Sequence, residues 1–220
     1  MKHAPETARA VLGARADDLV GYATWLEGAG IERGLLGPRE ASRLWERHLL
    51  NCAVVAEAVP ADADVIDVGS GAGLPGLVWA IVRPDLRVTV VEPLLRRTSF
   101  LQEVVADLGL RNVDVRRARA QDLGRTLSAD VVTSRAVAPL ARLADWCLPL
   151  VRPGGAMWAM KGESAARELT DALGHLQRAG AGDAYVTSYG EGSLEQPARV
   201  VHVKAPDRSE NRGDRPAAGR

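Results

Sequence analysis

The sequence predicts an α/β protein with a doubly wound, mostly parallel sheet, and two observations carry that prediction. From residue 64 onward, short apolar runs alternate with amphipathic stretches, which is typical of strands connected by helices. The first run, Val65–Val68, leads into a glycine-rich turn and then a helix-like segment. Because such sheets bind ligands at the carboxyl ends of their strands, the residues that follow each strand are the candidates for function.

The elements are predicted from the period of the apolar residues. Strands are expected at 65–68, 87–91, 113–116, 130–134, 156–160, 185–189 and 199–204. Helices are expected at 74–82, 94–108, 140–150 and 163–178. Pro153-Gly154-Gly155 predicts a turn before the fifth strand. Since no helix separates the last two strands, they are predicted to form an antiparallel hairpin at the sheet edge.

The chain divides into three parts by composition. Residues 1–60 are predicted to form a helical extension, with one or two short helices over 5–33 and a longer helix over 38–58. Residues 61–205 are predicted to form the α/β domain. Residues 206–220 are charged, contain proline and glycine, and have no apolar side chain larger than alanine, so they are expected to be disordered.

The overall composition excludes several classes. The 28 basic and 28 acidic residues cancel, so any contact with nucleic acid must come from a local patch. Cys52 and Cys147 have no zinc-ligand spacing, and we expect no metal and reduced thiols. No signal peptide and no run of about 18 apolar residues is present, so we expect a cytoplasmic protein without a membrane span. Few apolar runs are predicted on the surface, which favours a monomer.

Arginines recur every four residues in the helix predicted over 38–58, at Arg39, Arg43 and Arg47. Two interpretations remain open from the residues alone. The stripe is either a solvated face interleaved with glutamates or an edge that follows a phosphate backbone. His48 lies on the apolar face of the same helix, where it is either a core histidine or part of the mouth of a site.

The glycine turn fits two cofactors. Gly71, Gly73 and Gly76 form G-x-G-x-x-G, and Glu92 follows about 20 residues later, as in dinucleotide-binding proteins. Asp67, however, ends the strand where a pyrophosphate would approach, and a fixed anion there is repulsive. S-adenosylmethionine has no phosphate and carries a sulfonium and an ammonium, which a carboxylate attracts. The charge at Asp67 therefore favours S-adenosylmethionine over NAD.

Further candidates follow the other strands. Glu92 is placed to accept hydrogen bonds from both ribose hydroxyls, and Ala120 and Gln121 follow the third strand, where an adenine edge would lie. Arg135 follows the fourth strand and Lys161 the fifth. A lysine in this position is also compatible with simple snorkelling.

With these residues in place, the chain resembles the bacterial small-subunit rRNA (guanine-N7) methyltransferases, the glucose-inhibited division protein B family. The similarity covers about residues 38 to 204. The matching motifs are Arg47-His48-Leu49-Leu50, the loop from Asp67 to Gly76 with its Gly73-Leu74-Pro75-Gly76, Arg97-x-x-x-Phe100-Leu101, Trp146-Cys147, Ser134-Arg135-Ala136 and Lys161-Gly162.

The resemblance implies a class I S-adenosylmethionine-dependent methyltransferase fold with seven strands. It implies cofactor contacts at Gly69, Leu74, Ala120, Gln121 and Arg135, to which the residues themselves add Asp67, Gly71, Gly73 and Glu92. The implied substrate is a guanosine in the 530-loop region of 16S rRNA in the small ribosomal subunit. Gln121 departs from the acid that the family usually carries there.

The expected chemistry needs no general base, because guanine N7 has a free lone pair at neutral pH. Lys161 and Arg135 are the expected catalytic residues, holding guanine O6 or a flanking phosphate. The RNA backbone is expected to contact His48 and the arginines at Arg39, Arg43, Arg47, Arg96 and Arg97, with Arg116, Arg117 and Arg119. The alternatives are a small-molecule methyltransferase or a non-catalytic RNA-binding domain on the same fold.

Overall fold

The computed structural model describes residues 3–124, 126–135 and 137–205. The prediction of a disordered tail at 206–220 falls outside the described residues, as does Ala136 of the Ser-Arg-Ala motif. Within the described ranges, no helix is long and apolar enough to cross a membrane.

A single seven-stranded sheet forms the centre of the molecule, as predicted. Its order is β3-β2-β1-β4-β5-β7-β6, with β1 to β5 parallel and β7 antiparallel to both of its neighbours. The strands are β1 (Asp64–Val68), β2 (Arg87–Val91), β3 (Val113–Arg116), β4 (Ala129–Arg135), β5 (Val151–Lys161), β6 (Ala184–Tyr189) and β7 (Ala198–Lys204). The predicted hairpin is confirmed, although β6 alone forms the sheet edge and β7 inserts between β5 and β6.

Seven α-helices surround the sheet within the described residues. They are α1 (Glu6–Leu12), α2 (Val20–Trp25), α3 (Asn51–Ala56), α4 (Gly76–Val82), α5 (Leu95–Asp107), α6 (Leu140–Cys147) and α7 (Ala165–Arg178). The helix predicted over 38–58 is three segments in series: a 3₁₀ segment (Pro38–Arg43), a π-helical segment (Leu44–Leu50) and α3.

The turn predicted at Pro153-Gly154-Gly155 is wrong, because β5 begins at Val151 and runs through it. The register between β4 and β5 shifts there, so the proline and glycines lie at an irregularity of a continuous strand. The helix predicted from residue 74 begins instead at Gly76, after the loop that follows β1.

Two hydrophobic cores lie on the two faces of the sheet. One contains side chains from α6 and α7, and the other contains those from α4 and α5. The helical extension belongs to the second of these cores: Leu19, Tyr22, Leu26 and Leu49 are fully buried in it. The extension is therefore packed as part of the domain that carries the sheet.

Candidate active site

The sheet order reverses between β1 and β4, and the carboxyl ends of these two strands form the centre of the site. The loop after β1 folds back over β2, where the backbone amides of Gly69 and Ser70 donate to the Val91 carbonyl at 2.8 and 3.2 Å. Gly69 has a φ of 70°, and a Cβ there would lie 2.9 Å from Cγ2 of Val137, which follows β4. Glycine is therefore required for the two strand ends to approach this closely.

Asp67 braces the loop from below. Its side chain is fully buried, and Oδ2 accepts a hydrogen bond of 2.9 Å from the amide of Gly76 at the start of α4. Its Oδ1 has no partner among the described residues. Burial raises the pKa of Asp67 from 3.8 to about 7, against the opposing effect of the Gly76 bond.

A cavity of about 880 Å³, the first cavity, opens at this point of the sheet. Most of the expected cofactor residues line it, namely Gly69, Gly71, Leu74, Glu92, Ala120, Gln121 and Arg135. Asp67 and Gly73 do not line this cavity; Asp67 is buried beneath the loop, where it bonds to the Gly76 amide.

Glu92 is the carboxylate that reaches the first cavity, although only 1% of the residue is exposed. Its Oε2 accepts from the Gly71 amide and its Oε1 from the Leu94 amide, both at 3.1 Å. Arg97 lies 3.4 Å from Oε2 and also lines the cavity. These bonds fix the carboxylate against the glycine loop.

The residues of the first cavity fit S-adenosylmethionine. The fixed Glu92 carboxylate provides acceptors for ribose hydroxyls, and Arg135 places a positive charge in the cavity lining that attracts a carboxylate. Leu94 is 52% exposed beside Glu92 and offers an apolar surface to a purine. Within the described residues, no group of three or more His, Cys, Asp or Glu side chains is arranged to hold a metal ion.

Arg135 ends β4 and points into the helical extension. Its Nη1 donates to Cys52 Sγ at 3.3 Å and to the His48 carbonyl at 3.5 Å, and its Nη2 donates to the Arg47 carbonyl at 3.5 Å. The same Nη2 contacts His48 Nδ1. Arg135 therefore connects the sheet to the π-helical segment and α3.

His48 is buried between Arg135 and Glu40, and its Nε2 lies 2.6 Å from Glu40 Oε2. Because a guanidinium only donates hydrogen bonds, Nδ1 must accept from Arg135, which places the ring proton on Nε2. Burial, followed by the charge of Arg135, lowers the pKa of His48. The ring is thus neutral, with both nitrogens occupied.

A second cavity, of about 730 Å³, adjoins the first and shares Arg135 and Val137 with it. Lys161 lines it, but the side chain is only 6% exposed. The Lys161 ammonium donates to the Ala138 carbonyl at 2.6 Å and pairs with Glu168 at 2.8 Å. Both expected catalytic residues, Arg135 and Lys161, therefore line the second cavity, and Arg135 lies at its boundary with the first.

The arginines expected to bind RNA divide into two groups. Arg39, Arg43 and Arg96 are exposed and belong to no ion pair within residues 3–124, 126–135 and 137–205. Arg47 lies 3.7 Å from Glu40 and lines the second cavity, as Arg97 lines the first. Of the further group, Arg116 pairs with Asp114, Arg119 lines the first cavity and Arg117 is exposed.

Residues before position 38 contribute to the site, which the sequence did not indicate. The hydroxyl of the buried Tyr22 donates to the Ala72 carbonyl in the glycine loop at 2.8 Å. Leu35 and Leu36, between the helices predicted over 5–33 and 38–58, line the first cavity. In the sequence, Tyr22 is only one of several apolar residues at helical spacing. That pattern does not distinguish a residue that contacts the loop from any other core residue.

The structure belongs to a known class. An S-adenosylmethionine-dependent O-methyltransferase from Thermotoga maritima superposes with a TM-score of 0.53 at 16% identity, covering 72% of this chain and 66% of the other. With the seven-stranded order described above, the fold is that of the class I S-adenosylmethionine-dependent methyltransferases.

The sequence comparisons specify the family. A family model described as rRNA small subunit methyltransferase G matches residues 15–196. A protein named ribosomal RNA small subunit methyltransferase G from Streptomyces avermitilis is 55% identical over 202 residues, covering 91% of this chain and 85% of its own length. A protein of the same name from Thermobifida fusca is 53% identical over 198 residues, with 90% and 84% covered. The chain therefore belongs to the rRNA small subunit methyltransferase G family.

Proposed function

We propose that this protein transfers the methyl group of S-adenosylmethionine to N7 of a guanosine in the 530-loop region of 16S rRNA. The observation that carries the proposal is the meeting of two cavities at Arg135 and Val137. The first has the donors and acceptors that suit S-adenosylmethionine, and the second is large enough for a nucleoside and lined by Arg47, Lys161 and Arg199. The family and its relatives support rRNA of the small subunit as the substrate.

The side chains of the site position reactants without moving protons. S-adenosylmethionine supplies an electrophilic methyl group on a sulfonium when it is bound. Glu92 and the glycine loop orient it, and Arg135 faces the boundary across which the nucleoside must approach. Guanine N7 has no proton to lose, and His48 has both ring nitrogens occupied, so orientation is the main contribution of the protein.

Lys161 has a defined part in this proposal. Its bonds to Ala138 and Glu168 leave one of its three donors for guanine O6 or a phosphate in the second cavity. Glu195, exposed in the lining of the same cavity, offers a carboxylate to the N1 and N2 donors of guanine, on the same edge as O6. Discrimination of guanine from adenine follows, because adenine lacks these donors and the O6 acceptor.

The exposed arginines of the extension are proposed to bind the rRNA backbone. Arg39 and Arg43 are exposed on the segment that leads to Arg47, which reaches the second cavity, so an RNA strand bound by them would lie close to the site. Phosphate contacts of this kind release counterions, and the affinity for the substrate should fall steeply with salt concentration.

The experiment is methylation of small ribosomal subunits from a strain that lacks the corresponding enzyme. Subunits are incubated with the protein and labelled S-adenosylmethionine, and the rRNA is digested and its nucleosides are separated. The expected product is one 7-methylguanosine per subunit, located in the 530-loop fragment. Label in another nucleoside, in ribosomal protein or in no product would refute the proposal.

A further inference from the structure

We infer that Glu40 and His48 of the helical extension are positioning residues, which together fix the Arg135 guanidinium at the boundary of the two cavities. The inference rests on the proposed function, because it assigns Arg135 a part in methyl transfer. Neither residue needs to touch the cofactor or the target nucleoside to have this effect.

A chain of contacts joins Glu40 to Arg135 through His48. Glu40 Oε2 accepts the Nε2 proton of His48 at 2.6 Å, and this reinforces the tautomer that the Arg135 contact requires, in which Nδ1 accepts from Nη2. Without Glu40, only the Arg135 contact would favour this tautomer, and rings that carried the proton on Nδ1 would face a donor and lose that contact. The Glu40 carboxylate therefore helps to keep His48 Nδ1 unprotonated, so that it can accept a hydrogen bond from Arg135.

Neutral groups hold the charged side chain of Arg135. Its nearest acceptors are two backbone carbonyls, the Cys52 sulfur and an imidazole nitrogen, all of them neutral. Among the described residues, no carboxylate lies within ion-pair distance of Arg135. The guanidinium is thus held by directed hydrogen bonds while its charge stays unpaired. Two carboxylates stand farther off: Asp67, whose pKa burial raises against the opposing charge of Arg135, and Glu40, on the far side of the imidazole ring.

Glu40 and His48 lie next to the arginines that are proposed to bind rRNA. The 3₁₀ segment that carries Glu40 also carries Arg39 and Arg43, and Glu40 lies 3.7 Å from Arg47. The charged groups that face His48 are therefore Arg135 from β4 and Glu40 and Arg47 from the extension. The buried His48 therefore contacts both Arg135, at the boundary of the cavities, and Glu40, on the segment proposed to bind rRNA.

The test exploits two amides that each imitate one nitrogen of the ring. In His48→Asn, the amide oxygen takes the place of Nδ1 and keeps an acceptor for Arg135. In His48→Gln, the amide reaches the place of Nε2 and keeps only the contact with Glu40. At saturating S-adenosylmethionine, the methylation rate of small subunits should fall about tenfold in His48→Gln and less than about threefold in His48→Asn.

Glu40 is tested against a matched control. Glu40→Ala should lower the same rate about tenfold, whereas Glu46→Ala, in the adjoining π-helical segment and exposed, should leave it unchanged. Circular dichroism and thermal unfolding of each variant verify the fold. Equal losses in the Asn and Gln variants, or no loss in either, would show a structural histidine and overturn the inference.

Nitrogen NMR of the whole protein gives a readout independent of the rRNA. His48 should show a proton on Nε2 and an acceptor at Nδ1, and Glu40→Ala should produce a mixture of tautomers. A proton on Nδ1 in the unaltered protein would overturn the inference. Wild-type protein that shows the expected tautomer but forms no 7-methylguanosine would instead refute the proposed function.

Discussion

The glycine loop after β1 and the end of β4 face the same cavity, but contacts of different range hold them. The loop is fixed mainly by near residues: Asp67 bonds to Gly76 nine positions later, and Glu92 bonds to Gly71 across 21 positions. Arg135 is fixed by the helical extension, 87 positions from His48. The comparison shows that the loop is encoded in its own motif, whereas the setting of Arg135 depends on a distant segment.

Glu92→Ala should have the largest effect, because it removes the carboxylate that joins the loop to the first cavity. We expect the affinity for S-adenosylmethionine to fall more than about a hundredfold, since two hydrogen bonds to a charged acceptor are worth about 1.5–3 kcal/mol each. Calorimetric titration with S-adenosylmethionine measures this affinity. Glu92→Gln keeps the shape and one acceptor, and its affinity should lie between those of the wild type and the alanine variant. Unchanged affinity in the alanine variant would remove Glu92 from the site.

Asp67→Asn should change how stability depends on pH. The folded pKa of Asp67 is raised from 3.8 to about 7, so its contribution to stability is full below about pH 4 and is lost as the pH rises through about 7. Asparagine does not ionise and still has an oxygen for the Gly76 amide. Relative to wild type, the variant should therefore gain roughly 3 kcal/mol in free energy of unfolding between pH 5 and pH 8.

Urea unfolding of both proteins at several pH values measures this difference. The other titratable groups are common to the two proteins, so their effects cancel in the comparison. A difference that stays constant with pH would mean that the Asp67 carboxylate has an ordinary pKa and that the loop is braced without a buried charge.

Tyr22→Phe tests the long-range contact that the glycine loop does possess. The change leaves the buried Ala72 carbonyl without its donor, which should lower the free energy of unfolding by about 1–2 kcal/mol. Tyr185→Phe is the control, since Tyr185 is 49% exposed and its hydroxyl has no hydrogen bond among the described residues. Equal stabilities of the two variants in urea would mean that the loop is fixed by local contacts alone.

The double variant Arg39→Gln with Arg43→Gln should have the smallest effect, on the outer face of the extension. We expect the affinity for small subunits to fall several-fold at moderate salt. The slope of log affinity against log salt should decrease by about 0.7 for each phosphate that the variant no longer binds. Filter binding over a range of salt concentrations measures both. An unchanged slope would mean that Arg39 and Arg43 are solvated and bind no phosphate.

The strands and the glycine loop were predictable because their signals are local. The run Val65–Val68 agrees with β1 to within one residue, since apolar β-branched residues followed by glycines specify a strand and a turn within one short stretch. The passage of β5 through Pro153-Gly154-Gly155 was not predictable. Pairing with β4 determines it, and that interaction overrides the turn preference of the three residues.

The sequence by itself determined the fold class, the loop, and the identity of the residues at the strand ends. Periodicity, glycine spacing and charge are properties of neighbouring positions. Tertiary structure alone decided that Asp67 lies beneath the loop, that Tyr22 bonds to it, and that His48 and Glu40 hold Arg135. The Tyr22 and Arg135 contacts join segments 50 and 87 positions apart and arise only when the extension packs against the sheet, whereas the place of Asp67 depends on burial beneath the loop.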